Sequence, residues 1–196
     1  MEHPWRELAS NETSRKFTLE DSSVIWLAPH TVLYAQQRTV RLLKGTAFFS
    51  IAKDEQHQFS IKVGPQQITV LGTAFTIRTI DSADLQLTMK EGKVALDNNS
   101  GRRLLMAGQQ VNTSRAITGT IQHIDPSDAD WWLQPKIRWH NVSLGDILQR
   151  VSDYYQVQLK DNAIDRQMKV TLTWDMSIPL KDNLTVLNAL TGYNIQ

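Results

Sequence analysis

The chain has 196 residues, a formal net charge of +1 and 41% hydrophobic side chains, which is typical of a soluble globular protein. Its lysines and arginines are spread along the sequence, which disfavours nucleic acid or an anionic membrane as a partner. It contains no cysteine, which excludes disulfides and thiolate chemistry, and its longest apolar run, Val24–Ala28, is far shorter than the ~20 residues of a membrane helix.

Polar and apolar residues alternate repeatedly between residues 16 and 124. Gln58–Val63 and Leu85–Lys90 are two such runs, and alternation places apolar side chains on one face of a β-strand. Turn-forming residues separate the runs about every ten positions. The pattern predicts an all-β domain over residues 16–124, built as a solenoid-like or sandwich stack of short strands, after an N-terminal extension of residues 1–15.

The pattern changes after Asp125, where a linker of residues 125–135 is expected. Ser143 precedes a helical stripe of apolar residues and has Asp146 three positions later, as in a capping box. A second stripe follows Pro179 and stops at Gly192. Strands are expected at Ile137–Trp139, Val157–Leu159, Met168–Trp174 and Tyr193–Ile195. Residues 136–196 are therefore predicted to form a small βαββαβ domain, which makes the whole chain α+β.

The tetrapeptide GTAF occurs twice, in LKGTAFF at residues 43–49 and in LGTAFTI at residues 71–77. A third copy is missing, and the flanking residues differ, which excludes a sequence-repeat solenoid. The ordered blocks LEDSSVIWLAPHTVLY, RTVRLLKGTAFFSI, FSIKV, ITVLGTAFTIRT, LTMKEGKVAL and LLMAGQQV, over residues 16–112, resemble the extracytoplasmic part of the FecR family.

The resemblance implies a periplasmic signal-relay module of a membrane-anchored sigma-factor regulator, of the kind common in Bacteroidota. The block WWLQPKIRWHNVSLGDILQRVSDYYQVQL is similar to the C-terminal domain of these regulators, and hence to the short signalling domain of TonB-dependent receptors and secretins. The implied partner is the signalling domain of an outer-membrane TonB-dependent transducer in cell-surface signalling. The sigma factor would be contacted only through a cytoplasmic segment, which this sequence lacks along with the membrane helix.

Two departures from the family pattern are visible. The family has glycine in an Asp-Gly-Ser turn, whereas Ser22 follows Asp21 here. Serine does not easily adopt the positive φ that glycine allows, so a different turn geometry is expected. The sequence also stops at Gln196 where a last strand should form, so that strand is expected to be incomplete.

Six residues are predicted to contact the partner through an exposed strand edge and a few apolar anchors. These candidate docking residues are Tyr154, Tyr155, Val157, Leu159, Val170 and Leu172. For each of them, a place in the hydrophobic core is the competing interpretation.

Catalysis, cofactors and metal ions are not expected. The histidines His3, His30, His57, His123 and His140 have no metal-ligand spacing, and no nucleophile or phosphate-loop motif occurs. Asp128 and Asp130 lie in a polar stretch, where ordinary acidity is expected.

The six tryptophans suggest an alternative, a carbohydrate-binding β-module with Trp131, Trp132 or Trp174 as exposed platforms. Aromatic packing is the competing interpretation for all three, because large apolar side chains are mostly buried. Five Asn-x-Ser/Thr triplets, at Asn11, Asn98, Asn112, Asn141 and Asn183, are interpreted as chance occurrences in polar loops.

Overall fold

In a computed structural model, the chain divides into two compact units, Met1–Asp130 and Trp131–Gln196. The structure describes residues 4–79, 84–98, 101–113, 119–160 and 164–196. No helix within these ranges is long and apolar enough to cross a membrane. The α+β class is confirmed, with strands concentrated in the first unit and both α-helices in the second.

The described part of the first unit contains fourteen strands in two seven-stranded sheets. They are β1 (Arg6–Ala9), β2 (Arg15–Thr18), β3 (Val24–Leu27), β4 (Val32–Gln36), β5 (Thr39–Lys44), β6 (Thr46–Ser50), β7 (Phe59–Val63), β8 (Gln66–Val70), β9 (Ala74–Thr79), β10 (Leu85–Glu91), β11 (Lys93–Asn98), β12 (Gly101–Met106), β13 (Gln109–Thr113) and β14 (Ile121–His123). One sheet has the order β1-β4-β5-β7-β8-β11-β12, and the other has the order β14-β13-β10-β9-β6-β3-β2. Strands β5 and β7 pair in parallel, and the other pairs are antiparallel.

A single hydrophobic core lies between the two sheets, which makes this unit a sandwich. Strand β7 shows how the alternation builds it, since Phe59 and Ile61 are fully buried while Lys62 is exposed. Phe49 on β6 and Phe75 on β9 stack with ring centroids 5.4 Å apart. The alternating pattern allowed a solenoid-like or a sandwich stack of strands, and two sheets around one core correspond to the sandwich.

The predicted N-terminal extension belongs to this sandwich. Strand β1 pairs with β4, and Leu8 in its centre is buried in the core. The sequence Arg6–Ala9 was too short and too charged to reveal a strand, because only one of its side chains faces inward. At the other end of the unit, Asp125 caps a short 3₁₀ turn, Pro126–Ala129, inside the predicted linker.

The two GTAF segments enter neighbouring strands of one sheet from opposite ends, because β6 and β9 are antiparallel. Gly45 has φ +98°, and a Cβ there would lie 2.3 Å from Thr31 Oγ1. A Cβ on Gly72 would lie 2.7 Å from the Cα of Lys53. Each glycine is required because another segment of backbone passes too close for a side chain. The two copies therefore have a common local role without forming a structural repeat.

The turn between β2 and β3 keeps the conformation expected of glycine, although serine occupies it. The N–H of Ser22 donates to the carbonyl of Leu19 at 3.1 Å, and Ser22 itself has φ +66°. A tight turn closed by this bond and followed by a left-handed residue is the pattern of a common three-residue hairpin loop. The expectation of a different turn geometry was wrong. The turn is held by Asp21, whose carboxylate accepts from the Ser23 N–H and hydroxyl at 2.9 Å each and pairs with Arg38.

The second unit has β15 (Lys136–Ser143), α1 (Leu144–Tyr155), β16 (Lys169–Asp175) and α2 (Leu180–Thr191), after a short 3₁₀ turn at Trp131–Leu133. Strands β15 and β16 form an antiparallel pair. The segments Val157–Leu159 and Tyr193–Ile195, predicted as strands, have no assigned strand structure. Lys160 and Gln196, the residues that directly follow these two segments, instead exchange two backbone hydrogen bonds of 2.6 and 3.2 Å.

Candidate partner-binding surface

Helix α1 carries two of the candidate docking residues and has the predicted capping box. The Ser143 hydroxyl accepts from the Asp146 N–H at 3.2 Å and donates to the Asp146 carboxylate. This satisfies an N–H that the helix itself leaves without an acceptor. Positions at helical spacing then face the interior, and Ile147 and Val151 are almost fully buried. Tyr154 continues this buried face to the C-terminal end of the helix.

Aromatic side chains dominate the core of the second unit. Tyr154 contacts Trp132 with centroids 5.6 Å apart and Tyr155 at 4.7 Å in an edge-to-face arrangement. Trp139 on β15 packs against Trp174 on β16 at 5.4 Å. Aromatic pairs at these separations add to the stabilisation from burial alone. This cluster joins helix α1 to the inner face of the strand pair.

Tyr155 lies in the same cluster, with its hydroxyl bonded to the indole of Trp174. Burial raises the pKa of Tyr155 above its ordinary value of 10.0, because the phenolate would lose its hydration there. The tyrosine is therefore neutral at physiological pH and acts as a packing residue with one polar contact.

The six candidate docking residues fall into two groups. Tyr154, Tyr155, Val170 and Leu172 are buried and contribute to the core of the second unit. Val157 and Leu159 are half-buried on the segment that follows α1. Gln156 directs this segment away from the helix by adopting a left-handed conformation with φ +56°. Of the six candidates, Val157 and Leu159 are thus the two that keep part of their surface exposed.

Two asparagines on α2 have positioning roles that the sequence did not reveal. Asn183, which is 3% exposed, accepts from the Asp175 N–H at 3.0 Å and donates to the Asp175 carbonyl at 2.8 Å. Asn188 makes the same two bonds to Ile195, at 2.9 and 3.0 Å. Each amide thus pairs with extended backbone as a neighbouring strand would. Because Asn183 is buried and bonded in this way, its Asn-x-Thr triplet is not an accessible glycosylation site.

Helix α2 also presents apolar side chains to solvent. Val186 and Leu190 are each more than half exposed and lie one helical turn apart. On another side of the helix, Leu180 and Leu184 line a groove of about 570 Å³ together with Ile195. The apolar stripe predicted between Pro179 and Gly192 consists of Leu180, Leu184, Leu187 and Leu190. It is split in the structure, since Leu184 and Leu187 are buried whereas Leu190 is exposed.

Within the described ranges, no group of three or more acidic or histidine residues could hold a metal ion. His57 bonds Asp54 at 2.9 Å on the surface, and His3 lies outside the described residues. Asp130 pairs with Lys90, and Asp128 is half-buried.

The tryptophans proposed as carbohydrate platforms do not form one. Trp132 is 4% exposed and Trp174 is 1% exposed, so neither ring can stack on a ligand. Trp131 is half-buried, packs against Tyr154 at 6.0 Å, and has the Arg150 guanidinium 5.7 Å from its ring centre. With these rings in the core, no observation favours the carbohydrate-binding alternative.

Comparison with known proteins gives a family match and likenesses to solved structures. Residues 7–95 match the family described as FecR protein. No curated protein matches the chain. Two crystal structures of a proposed anti-sigma factor from Parabacteroides distasonis ATCC 8503, at 1.65 and 2.50 Å resolution, have TM-scores of 0.68 and 0.69 to this chain at 20% identity. The matched regions cover 96% and 97% of this chain and 93% of each of those chains. At this identity the likeness establishes the fold.

Proposed function

We propose that this chain is the periplasmic signal-relay module of a transmembrane sigma-factor regulator, because residues 7–95 match the FecR family. In this proposal the module receives the signalling domain of an outer-membrane TonB-dependent transducer. A cytoplasmic segment beyond this sequence would contact the sigma factor. The family match is the observation that carries the proposal, and the fold shared with a proposed anti-sigma factor supports it.

The second unit is the proposed receiver. It has its own core of aromatic and aliphatic side chains, so it can present a surface of defined shape to a partner. Its segment Val157–Leu159 is half-buried and is joined through the Lys160–Gln196 pair to the terminal residues that line the groove on α2. A short extended segment beside a groove is suited to strand pairing with a partner.

The first unit is the proposed scaffold. Its core runs without interruption between two seven-stranded sheets, and packed interiors of this kind are stiff. Transient signalling contacts are modest in area, and a few residues carry most of the affinity. We therefore expect binding to depend on a small number of residues in the second unit.

The test is calorimetric titration of the full chain with the signalling domain of the transducer encoded beside it. Saturable binding is expected. Leu159→Ala should weaken it at least ~5-fold without changing the melting temperature, because the side chain is only half-buried. Leu43→Ala is the matched control, since Leu43 is 54% exposed and lies on β5 in the other unit.

Leu148→Ala tests the distinction between core and surface. Leu148 is 2% exposed, and its truncation should destabilise the second unit by about 2–5 kcal/mol. If Leu159→Ala lowers both the affinity and the melting temperature, Leu159 is a core residue and its assignment as a docking residue is wrong. Absence of binding by the wild-type chain would reject the proposed function.

A further inference from the structure

The strand pair of the second unit has two chemically different faces. Along β15, Ile137 and Trp139 point toward the helices, and Lys136, Arg138 and His140 occupy the exposed positions between and beside them. Because successive strand residues face opposite sides, the three polar residues lie on one surface at two-residue spacing, roughly 6–7 Å apart.

Strand β16 extends this surface. Its inward residues are apolar and buried, while Lys169, Thr171 and Thr173 are exposed on the outer side. Register places Arg138 opposite Thr173 and the capping residue Ser143 opposite Lys169. We call the outer residues Lys136, Arg138, His140, Lys169, Thr171 and Thr173 the basic sheet face.

One carboxylate lies at the edge of this face. Asp175 ends β16 and pairs with Lys136 at 3.2 Å, while its backbone is held by Asn183 from the inner side. Arg138 and Lys169 therefore supply positive charge beyond that pair, and both are exposed. The surface has a net positive charge although the whole chain is close to neutral.

The face is also held rigidly. Trp139 and Trp174 pack against each other directly behind it. A β-bulge at the centre of β15 is fixed by the Asn141 N–H, which donates to the Thr171 hydroxyl at 3.0 Å. Cations held on a stiff sheet lose little conformational freedom beyond their own side chains when a partner binds.

We propose that the basic sheet face is a docking surface for an acidic surface of the partner protein. This rests on the proposed function and deepens it by naming the chemistry of the receiver. Arg138 and Lys169 are four register positions apart, or roughly 13 Å along the strands. At low ionic strength the Debye length is longer than this, about 30 Å at 0.01 M, so the two cations act together and raise the association rate for an acidic surface. The two threonine hydroxyls add donors and acceptors at the centre of the contact.

A protein partner fits this surface better than a membrane does. Surface binding to anionic lipid requires apolar side chains that insert as well as basic residues. The six residues of the basic sheet face are all polar or charged. The charge complement is therefore expected to come from carboxylates on a folded partner.

The experiment measures association of the full chain with the transducer's signalling domain by stopped-flow fluorescence at low and high salt. For the wild type, the association rate should fall ~10-fold or more between 20 and 300 mM salt, conditions chosen from the steep salt dependence of steered association. The double variant Arg138→Glu, Lys169→Glu should associate ~10-fold more slowly at low salt and lose most of that dependence.

Two further proteins serve as controls. Lys44→Glu, Lys62→Glu makes the same change in net charge on exposed positions of the first unit and should bind as the wild type does. Arg138→Gln, Lys169→Gln removes charge without adding repulsion and should give an intermediate rate. Circular dichroism and thermal melting establish that each variant is folded.

The outcomes separate this inference from the function on which it rests. If the wild type and the Arg138→Glu, Lys169→Glu variant bind equally well, the docking surface is wrong while the relay function stands. The same conclusion follows if this variant and the Lys44→Glu, Lys62→Glu variant weaken binding equally. If the wild type does not bind the signalling domain, both fall. Binding to vesicles of phosphatidylglycerol that is lost in the Arg138, Lys169 reversal, without binding to the protein, would overturn the docking surface in favour of lipid.

Discussion

Replacement of Asn183 by alanine should destabilise the second unit selectively. The side-chain amide makes two hydrogen bonds, of 3.0 and 2.8 Å, to the backbone of Asp175 at the end of β16. Each such bond contributes about 0.5–1.5 kcal/mol net, so their loss should cost about 1–3 kcal/mol. Domains of this size have about 3–10 kcal/mol of stability in all, which makes that loss large.

Urea unfolding of the full chain, followed by tryptophan fluorescence, measures this effect. Four of the six tryptophans lie in the second unit, at Trp131, Trp132, Trp139 and Trp174, so the signal reports mainly on its unfolding. Thr185→Ala is the control on the same helix. Its hydroxyl is exposed and bonds only the preceding turn, so a change of a few tenths of a kcal/mol, roughly 0.3, is expected.

Asn183→Asp distinguishes strand-like pairing from simple filling of space. The aspartate can still accept from the Asp175 N–H, but it cannot donate to the Asp175 carbonyl unless it is protonated. At neutral pH it should therefore destabilise the unit at least as much as alanine does. A loss below about 0.5 kcal/mol for Asn183→Ala, or an aspartate variant as stable as wild type, would refute the reasoning.

Three other changes test features of the fold. Ser22→Gly should stabilise the first unit by about 0.5–1 kcal/mol in thermal melting, because the φ of +66° costs serine more than glycine; a decrease would contradict the turn. Gly45→Ala should lower the free energy of unfolding by more than about 2 kcal/mol, because the added Cβ would overlap Thr31. Gly101→Ala is the control and should cost less, because Gly101 also has a positive φ but no described atom lies within 4 Å of the added Cβ. The pKa of Asp175 is lowered from its ordinary value of 3.8, chiefly by the hydrogen bond from the Ser177 hydroxyl. The ionised carboxylate therefore stabilises the folded state above pH 3.8. This contribution is lost as the pH falls through the lower folded-state pKa. Asp175→Asn should therefore reduce the acid sensitivity of the second unit in fluorescence-monitored unfolding, and an unchanged pH profile would exclude this contribution.

Elements with local signals could be predicted from the amino-acid sequence alone. A capping serine and a 3.6-residue stripe specify α1, and Gly192 ends α2 in the left-handed conformation expected of it. Alternation likewise predicted the strands of the first unit, because one buried face imposes a period of two. Such patterns can be read from the sequence because they depend on backbone hydrogen bonds and solvent exposure of residues that are close together in the chain.

The division of the candidate side chains into buried and partly exposed ones depends on long-range packing, which local sequence patterns do not encode. A tyrosine at the end of a helix can either contact a partner or pack in the core, and the sequence pattern is the same in both cases. Tyr154 and Tyr155 are buried because they pack in the aromatic cluster of the second unit. Asn183 looked like a surface residue until its amide met the backbone of β16. The basic sheet face arises in the same way, because Arg138 and Lys169 are distant in sequence and lie on one face only when their strands pair.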